Sequence, residues 1–177
     1  MKVSAAEAAR ALDLNNHTIA KLLDAHILVG PTSASGRRQG VYVTSLETAQ
    51  SVPPTTLARG DVAFHVGAAE SDTNPAHRRT YAGWHAMKSL AVSQGDRRRA
   101  WGGVWNMTED NADGLGGHAV CSVGGFIVDV AKVEGTRRCP CCDLAVFDLA
   151  DPDDLAVSRY RGRRFSGVGQ GSLFTFG

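Results

Sequence analysis

Residues 3–30 read VSAAEAARALDLNNHTIAKLLDAHILVG, and residues 36–47 read GRRQGVYVTSLE. Ser4 followed three positions later by Glu7 has the spacing of a capping box, which starts a helix over the Ala-rich run Ser4–Leu12. Asp13-Leu14-Asn15-Asn16 interrupts that pattern. From His17 to Ala25 the apolar positions Ile19, Leu22 and Leu23 share one face of a second helix. Ile27–Val29 and Val41–Val43 flank a stretch rich in Gly, Ser and Arg, so the sequence predicts a hairpin with a long tip. A short helix over Ser45–Gln50 follows, and Pro53-Pro54 ends it.

This succession resembles the winged helix-turn-helix of MerR-type regulators and of phage or plasmid excisionases. The resemblance covers about 50 of the 177 residues. It implies double-stranded DNA as the partner, with the second helix entering a major groove about 12 Å wide. Asn15, Asn16, His17 and Thr18 would then meet base edges, Lys21 the phosphate backbone, and Arg37 and Arg38, with Gln39 beside them, an adjacent minor groove. The plainer alternative makes Asn15 and Asn16 turn and cap residues and leaves Arg37 and Arg38 in a solvated loop.

Residues 1–56 hold five basic and four acidic side chains. Counterion release from so balanced a unit gives weak binding, so a homodimer, tandem sites or the rest of the chain must add grip. The run Arg159-Tyr160-Arg161-Gly162-Arg163-Arg164-Phe165 offers Arg161, Arg163 and Arg164 as further phosphate contacts, with aromatics between them. Such runs are also common as solvated faces.

At 177 residues the chain suits one domain or two small ones, and 43% hydrophobic residues against 21% charged is the balance of a globular protein. Arg far outnumbers Lys among the 19 basic side chains. Nothing approaches the roughly 18–20 apolar residues of a membrane span, and the first residues lack the pattern of a secretory signal. A cytoplasmic location and no membrane partner are therefore expected. The expected class is α+β, with a winged helix-turn-helix at 1–56. Residues 57–177 are expected to form a mixed domain with one long helix, Asn74–Ser93, against an antiparallel sheet. Its strands are expected at 61–66, 100–106, 119–123, 126–130 and 144–147.

Cysteine usage raises two chemistries. Three of the four thiols crowd into Cys139-Pro140-Cys141-Cys142, which in a reducing compartment points to metal or free thiols before disulfides. His118 and Cys121 with Cys139 and Cys142 spell H-x2-C-x17-C-P-x-C, a spacing that suits a structural tetrahedral zinc, with Cys141 as a substitute ligand. Against that set, residues 118 and 121 on one strand point to opposite faces. The stretches MKSLAVSQGDRRRAWGGVWN and GGHAVCSVGGFIVDVA resemble, more distantly, a transglutaminase or cysteine-protease core, with His118 and Asp129 as the base and its orienting acid. No cysteine stands near Ala76–Tyr81, where that resemblance would place the nucleophile, which implies an inactive relative. The leading expectation is a sequence-specific DNA-binding regulator with a transcriptional, repressive or excision role. An enzyme-derived domain tethered to DNA and a protein-interaction module are the alternatives.

Overall fold

The computed structural model describes residues 1–36, 38–107 and 115–165, and the backbone of 173–175. Helix α1 (Ala5–Leu12) begins with the capping box: Ser4 Oγ accepts from the Glu7 N–H, and the Glu7 carboxylate accepts from the Ser4 N–H at 2.8 Å. It ends at Asp13 in the left-handed conformation, φ 56°. Asn15 then caps α2 (Asn16–Asp24) by accepting from the Thr18 N–H at 2.8 Å. Ala8, Ala9 and Leu12 share a core with Ile19, Leu22 and Leu23, and the small alanines let the two helices lie close.

The expected strand at Ile27–Val29 does not form. His26 turns left-handed at φ 57°, and the amides of Ile27 and Leu28 bond back to the Leu22 carbonyl at 2.9 and 3.1 Å, which folds the segment under α2. Instead β1 (Lys2–Val3) pairs antiparallel with β2 (Val41–Tyr42). The Arg-bearing hairpin closes through a single bridge between Thr32 and Arg38. Helix α3 (Val43–Ser51) starts two residues earlier than its sequence suggests.

The rest of the chain builds a mixed sheet, so the class is α+β. Its strands are β3 (Pro54–Thr55), β4 (Val62–His65), β7 (Val104–Trp105), β8 (His118–Val123), β9 (Phe126–Arg138), β10 (Ala145–Ala150), β11 (Arg164–Phe165) and β12 (Leu173–Thr175). The main path runs β12-β4-β8-β9-β10-β7, with β11 joining β9 to β3. β4 lies parallel to β8, as β11 does to β3, and the other pairs are antiparallel. A parallel pair needs a crossover, and here that connection holds β5 (Glu70–Ser71), a 3-10 turn (Pro75–His77), β6 (Tyr81–Ala82), α4 (Ala86–Ala91), α5 (Gln94–Gly102) and β7.

That crossover corrects the expected long helix over Asn74–Ser93. Pro75 opens only a 3-10 turn, Arg78 is left-handed at φ 53°, and Gly83 sits at φ 89°, where a Cβ would lie 2.6 Å from the Ala68 carbonyl oxygen. Tyr81 and Trp84, three apart, mimic a helical stripe, yet both are buried from an extended segment. Helix α5 also runs through Ala100–Gly102, which leaves β7 only two residues of the expected strand.

Strand alternation divides the core. Val62, Phe64, Ala119, Cys121 and Val123 face the cluster that contains α1, α2 and Trp101 of α5. Ala63, Val120 and Val130 face α6 (Asp154–Tyr160), where Ala156 and Tyr160 cover them. The first cluster runs unbroken across the expected boundary at residue 56. Further links join the two parts: Ala86 N–H to the Ala25 carbonyl at 2.9 Å, and Arg164 Nη1 to the Leu12 carbonyl at 3.4 Å. Among the described residues no helix is long and apolar enough to cross a membrane.

Candidate metal centre and nucleic-acid face

The long β9 and its partner β10 meet in a tight turn at residues 139–144. The Cys139 N–H donates to Leu144 at 2.8 Å and the Asp143 N–H returns to Cys139 at 3.0 Å, with Asp143 left-handed at φ 58°. This curls Cys139, Cys141 and Cys142 toward one another, and Cys139 and Cys141 bring their sulfurs within 3.0 Å. From the other side the 3-10 turn delivers His77. The four ligand atoms of His77, Cys139, Cys141 and Cys142 lie within 4.8 Å of one another, a group able to hold a metal ion.

The electrostatics favour a thiolate at Cys139. The hydrogen bond from Cys141 pulls the Cys139 thiol down to about 7, and the same shared proton holds Cys141 up at about 11. His77 is fixed from behind. Its Nδ1 meets Asp72 Oδ2 at 2.9 Å, and Arg79 Nε donates to the same oxygen at 2.6 Å. Burial raises the Asp72 pKa, but the bonds from Arg79 and His77 outweigh it and hold the carboxyl at about 2. The ionised Asp72 favours the tautomer with the proton on His77 Nδ1, so the Nε2 lone pair, which accepts from Asn74 Nδ2, is the one a metal could take. Asn74 Nδ2 lies 3.3 Å from that Nε2 and 3.5 Å from the Cys141 sulfur, so it borders the same space.

His118 and Cys121 are not part of this group, which corrects half of the expected ligand set. They point to opposite faces of β8. His118 lies between two carboxylates, Nδ1 3.4 Å from Asp61 and Nε2 3.2 Å from Asp153. Cys121 is fully buried, and burial together with the Asp129 charge pushes its thiol well above the ordinary value. Nor do His118 and Asp129 meet as a base and its orienting acid. Asp129 accepts from Arg97 Nε at 2.9 Å and from Trp101 Nε1 at 3.0 Å. Both carboxylates that surround His118 come from other elements.

At the other end of the molecule, Asn16, His17 and Lys21 are exposed on α2. Asn15 is spent as the cap, and Thr18 is half-buried because Gly124 packs on it: a Cβ there would come 2.7 Å from Thr18 Cγ2. Gly124 and Gly125 form a two-residue turn with both φ positive, so β8–β9 can approach α2 this closely. The Lys21 charge reaches His65 on β4, whose imidazole is held at about 4 by burial and then by that charge. Arg38 reaches back to α2, donating to the Leu23 carbonyl at 3.2 Å with Asp24 3.9 Å away, which suits a cation at a helix C-terminus. Gln39 is exposed and accepts from Lys2 at 3.4 Å. Arg37 lies outside the described residues. Arg161 is exposed and Arg163 half-buried, whereas Arg164 is drawn inward to the end of α1 and so is removed from the expected phosphate contacts.

Comparison with family models, with curated proteins and with solved structures found no match.

The thiol cluster was visible in the sequence, and His77 was not. It lies 62 positions upstream of Cys139 and inside a segment whose aromatic spacing suggests a helix. The local signal was Asn74-Pro75, a dipeptide that marks a turn and that here caps the 3-10 turn carrying His77.

Proposed function

We propose that this chain is a double-stranded DNA-binding protein in which a structural zinc ion, held by His77, Cys139, Cys141 and Cys142, pins the crossover to the end of the sheet. The observation that carries the zinc assignment is the donor set, one imidazole and three thiols. Zinc takes such sets tetrahedrally, with ligand distances of about 2.0–2.3 Å. Four protein ligands leave no position open for substrate, so the ion's role is to hold structure.

DNA binding rests on α2. Its first turns present Asn16, His17 and Lys21 to solvent on a helix braced by α1 behind and by the β8–β9 turn beside it. A side chain such as Asn16 can read adenine bidentately, and Lys21 suits a phosphate. A winged helix-turn-helix arrangement accommodates these contacts, with Arg38 bracing the wing against α2. Two copies on one site would double the few phosphate contacts each copy makes.

Fluorescence anisotropy of the full chain against mixed-sequence duplex DNA at two salt concentrations tests this reading. We expect saturable binding at low salt that weakens as salt rises. Lys21→Ala should reduce the salt slope by about one. Absence of binding at low salt would contradict the proposal.

A further inference from the structure

A cavity of about 540 Å³ lies between the 3-10 turn, α5 and the β9–β10 pair, with His77 of the candidate metal centre in its lining. That size falls in the roughly 300–1,000 Å³ range of small-molecule sites. Four guanidinium groups, from Arg78, Arg98, Arg99 and Arg137, line it against only two carboxylates, Glu134 and Asp148. The single acid–base pair wholly within the lining is Arg137 with Asp148, at 3.3 Å. Arg99 and Arg98 pair with Asp96 and Asp151, outside the lining, at 2.5 and 2.7 Å.

Two charges and one guanidinium nitrogen are left over. Arg78 has no ion-pair partner among the described residues, and neither has Glu134. Arg98 is 7% exposed, and its Nε has no hydrogen-bond partner. Arg78 holds φ 53° as the C-cap of the 3-10 turn, its N–H bonded to the Pro75 carbonyl. At the end of α5, Gly102 and Gly103 let side chains pack closely: a Cβ on them would lie 2.3 Å from Leu149 Cδ1 and 2.1 Å from Arg79 Nη1. A planar guanidinium forks onto two oxygens at once, and several around one concavity favour phosphate over a singly charged anion.

We infer that this cavity binds a small phosphate-bearing anion, its phosphate oxygens held by the arginines. No covalent step is involved. The site is separate from the exposed face of α2.

Calorimetric titration of the full-length, zinc-loaded chain with AMP, ADP, pyrophosphate and adenosine tests the inference. AMP or ADP should saturate a single site, with adenosine binding at least about tenfold more weakly. Arg78→Gly suits the left-handed φ of the cap while removing the guanidinium. It should keep or raise the melting temperature yet weaken AMP and ADP at least about tenfold, whereas Lys21→Ala should leave nucleotide affinity unchanged. No saturable heat up to about 1 mM nucleotide, or affinity unaltered in Arg78→Gly, would overturn the inference. Pyrophosphate should bind at least as tightly as AMP, since the phosphates carry the interaction, and pyrophosphate failing to bind would also overturn it. Competition by a 5′-phosphorylated duplex in the absence of mononucleotide binding would assign the arginines to DNA ends and also overturn it.

Discussion

The turn between β9 and β10 and the strand β8 each carry cysteine within three residues of another metal-ligating side chain, but their backbones permit different things. In β8 successive side chains alternate faces, so His118 and Cys121 are directed apart, one toward Asp61 and Asp153 and the other into the core. In the turn a left-handed Asp143 and the bonds between Cys139, Asp143 and Leu144 bend the chain back on itself, and three sulfurs converge. Cysteine and histidine spacing therefore has meaning only with the backbone that carries it. The fourth ligand, His77, comes from a second turn braced by Asp72 and Arg79.

The largest expected effect concerns what the turn holds. A zinc ion present at about a thousandfold its dissociation constant adds about 4 kcal/mol to folding, or about 10 °C in melting temperature for a chain of this length. Chelation, or Cys142→Ser, should lower the melting temperature by about that amount in scanning calorimetry. Cys121→Ser, on the strand, should instead destabilise equally with or without chelator, since it alters only packing. A chelator that leaves the melting temperature unchanged would break the distinction between the two regions.

A smaller effect tests the bracing of His77. Asp72→Asn keeps the shape but removes the charge behind the imidazole, and partners of this kind typically contribute about 10–100-fold to metal affinity. Competition with a chromophoric chelator should show a loss in that range. Asp153→Asn, beside His118, should leave zinc affinity unchanged.

The smallest effect lies away from the thiol turn. Asn15→Ala removes the α2 cap and should cost about 1 kcal/mol in denaturant unfolding, with zinc affinity unaltered. A loss of metal affinity in this variant would mean that the α2 cap and the thiol turn are coupled through the shared core.

Local chemistry explains which parts of this molecule were legible in its sequence. The caps at Ser4 and Asn15 and the β8–β9 hairpin are each written within a few neighbouring residues, and they form close to their expected positions. The thiol turn was legible for the same reason. The expected strand at Ile27–Val29 failed because β1, at the far end of the unit, supplied the partner for β2. The expected helix at Asn74–Ser93 failed because Tyr81 and Trp84 are buried from an extended chain that crosses between β4 and β8, a long-range requirement that local periodicity does not encode. His77 lies in that same segment, so local periodicity does not mark it either. Arg164 and Arg38 were assigned outward by their charge, whereas carbonyls at helix ends, on Leu12 and Leu23, draw both of them inward.

The most direct test of the account is metal analysis of the full chain purified without chelator, beside the His77→Ala and His118→Ala variants. The account predicts about one zinc per chain in the parent protein and in His118→Ala, and its loss from His77→Ala. A folded, zinc-free parent, or loss of zinc from His118→Ala with retention in His77→Ala, would contradict it.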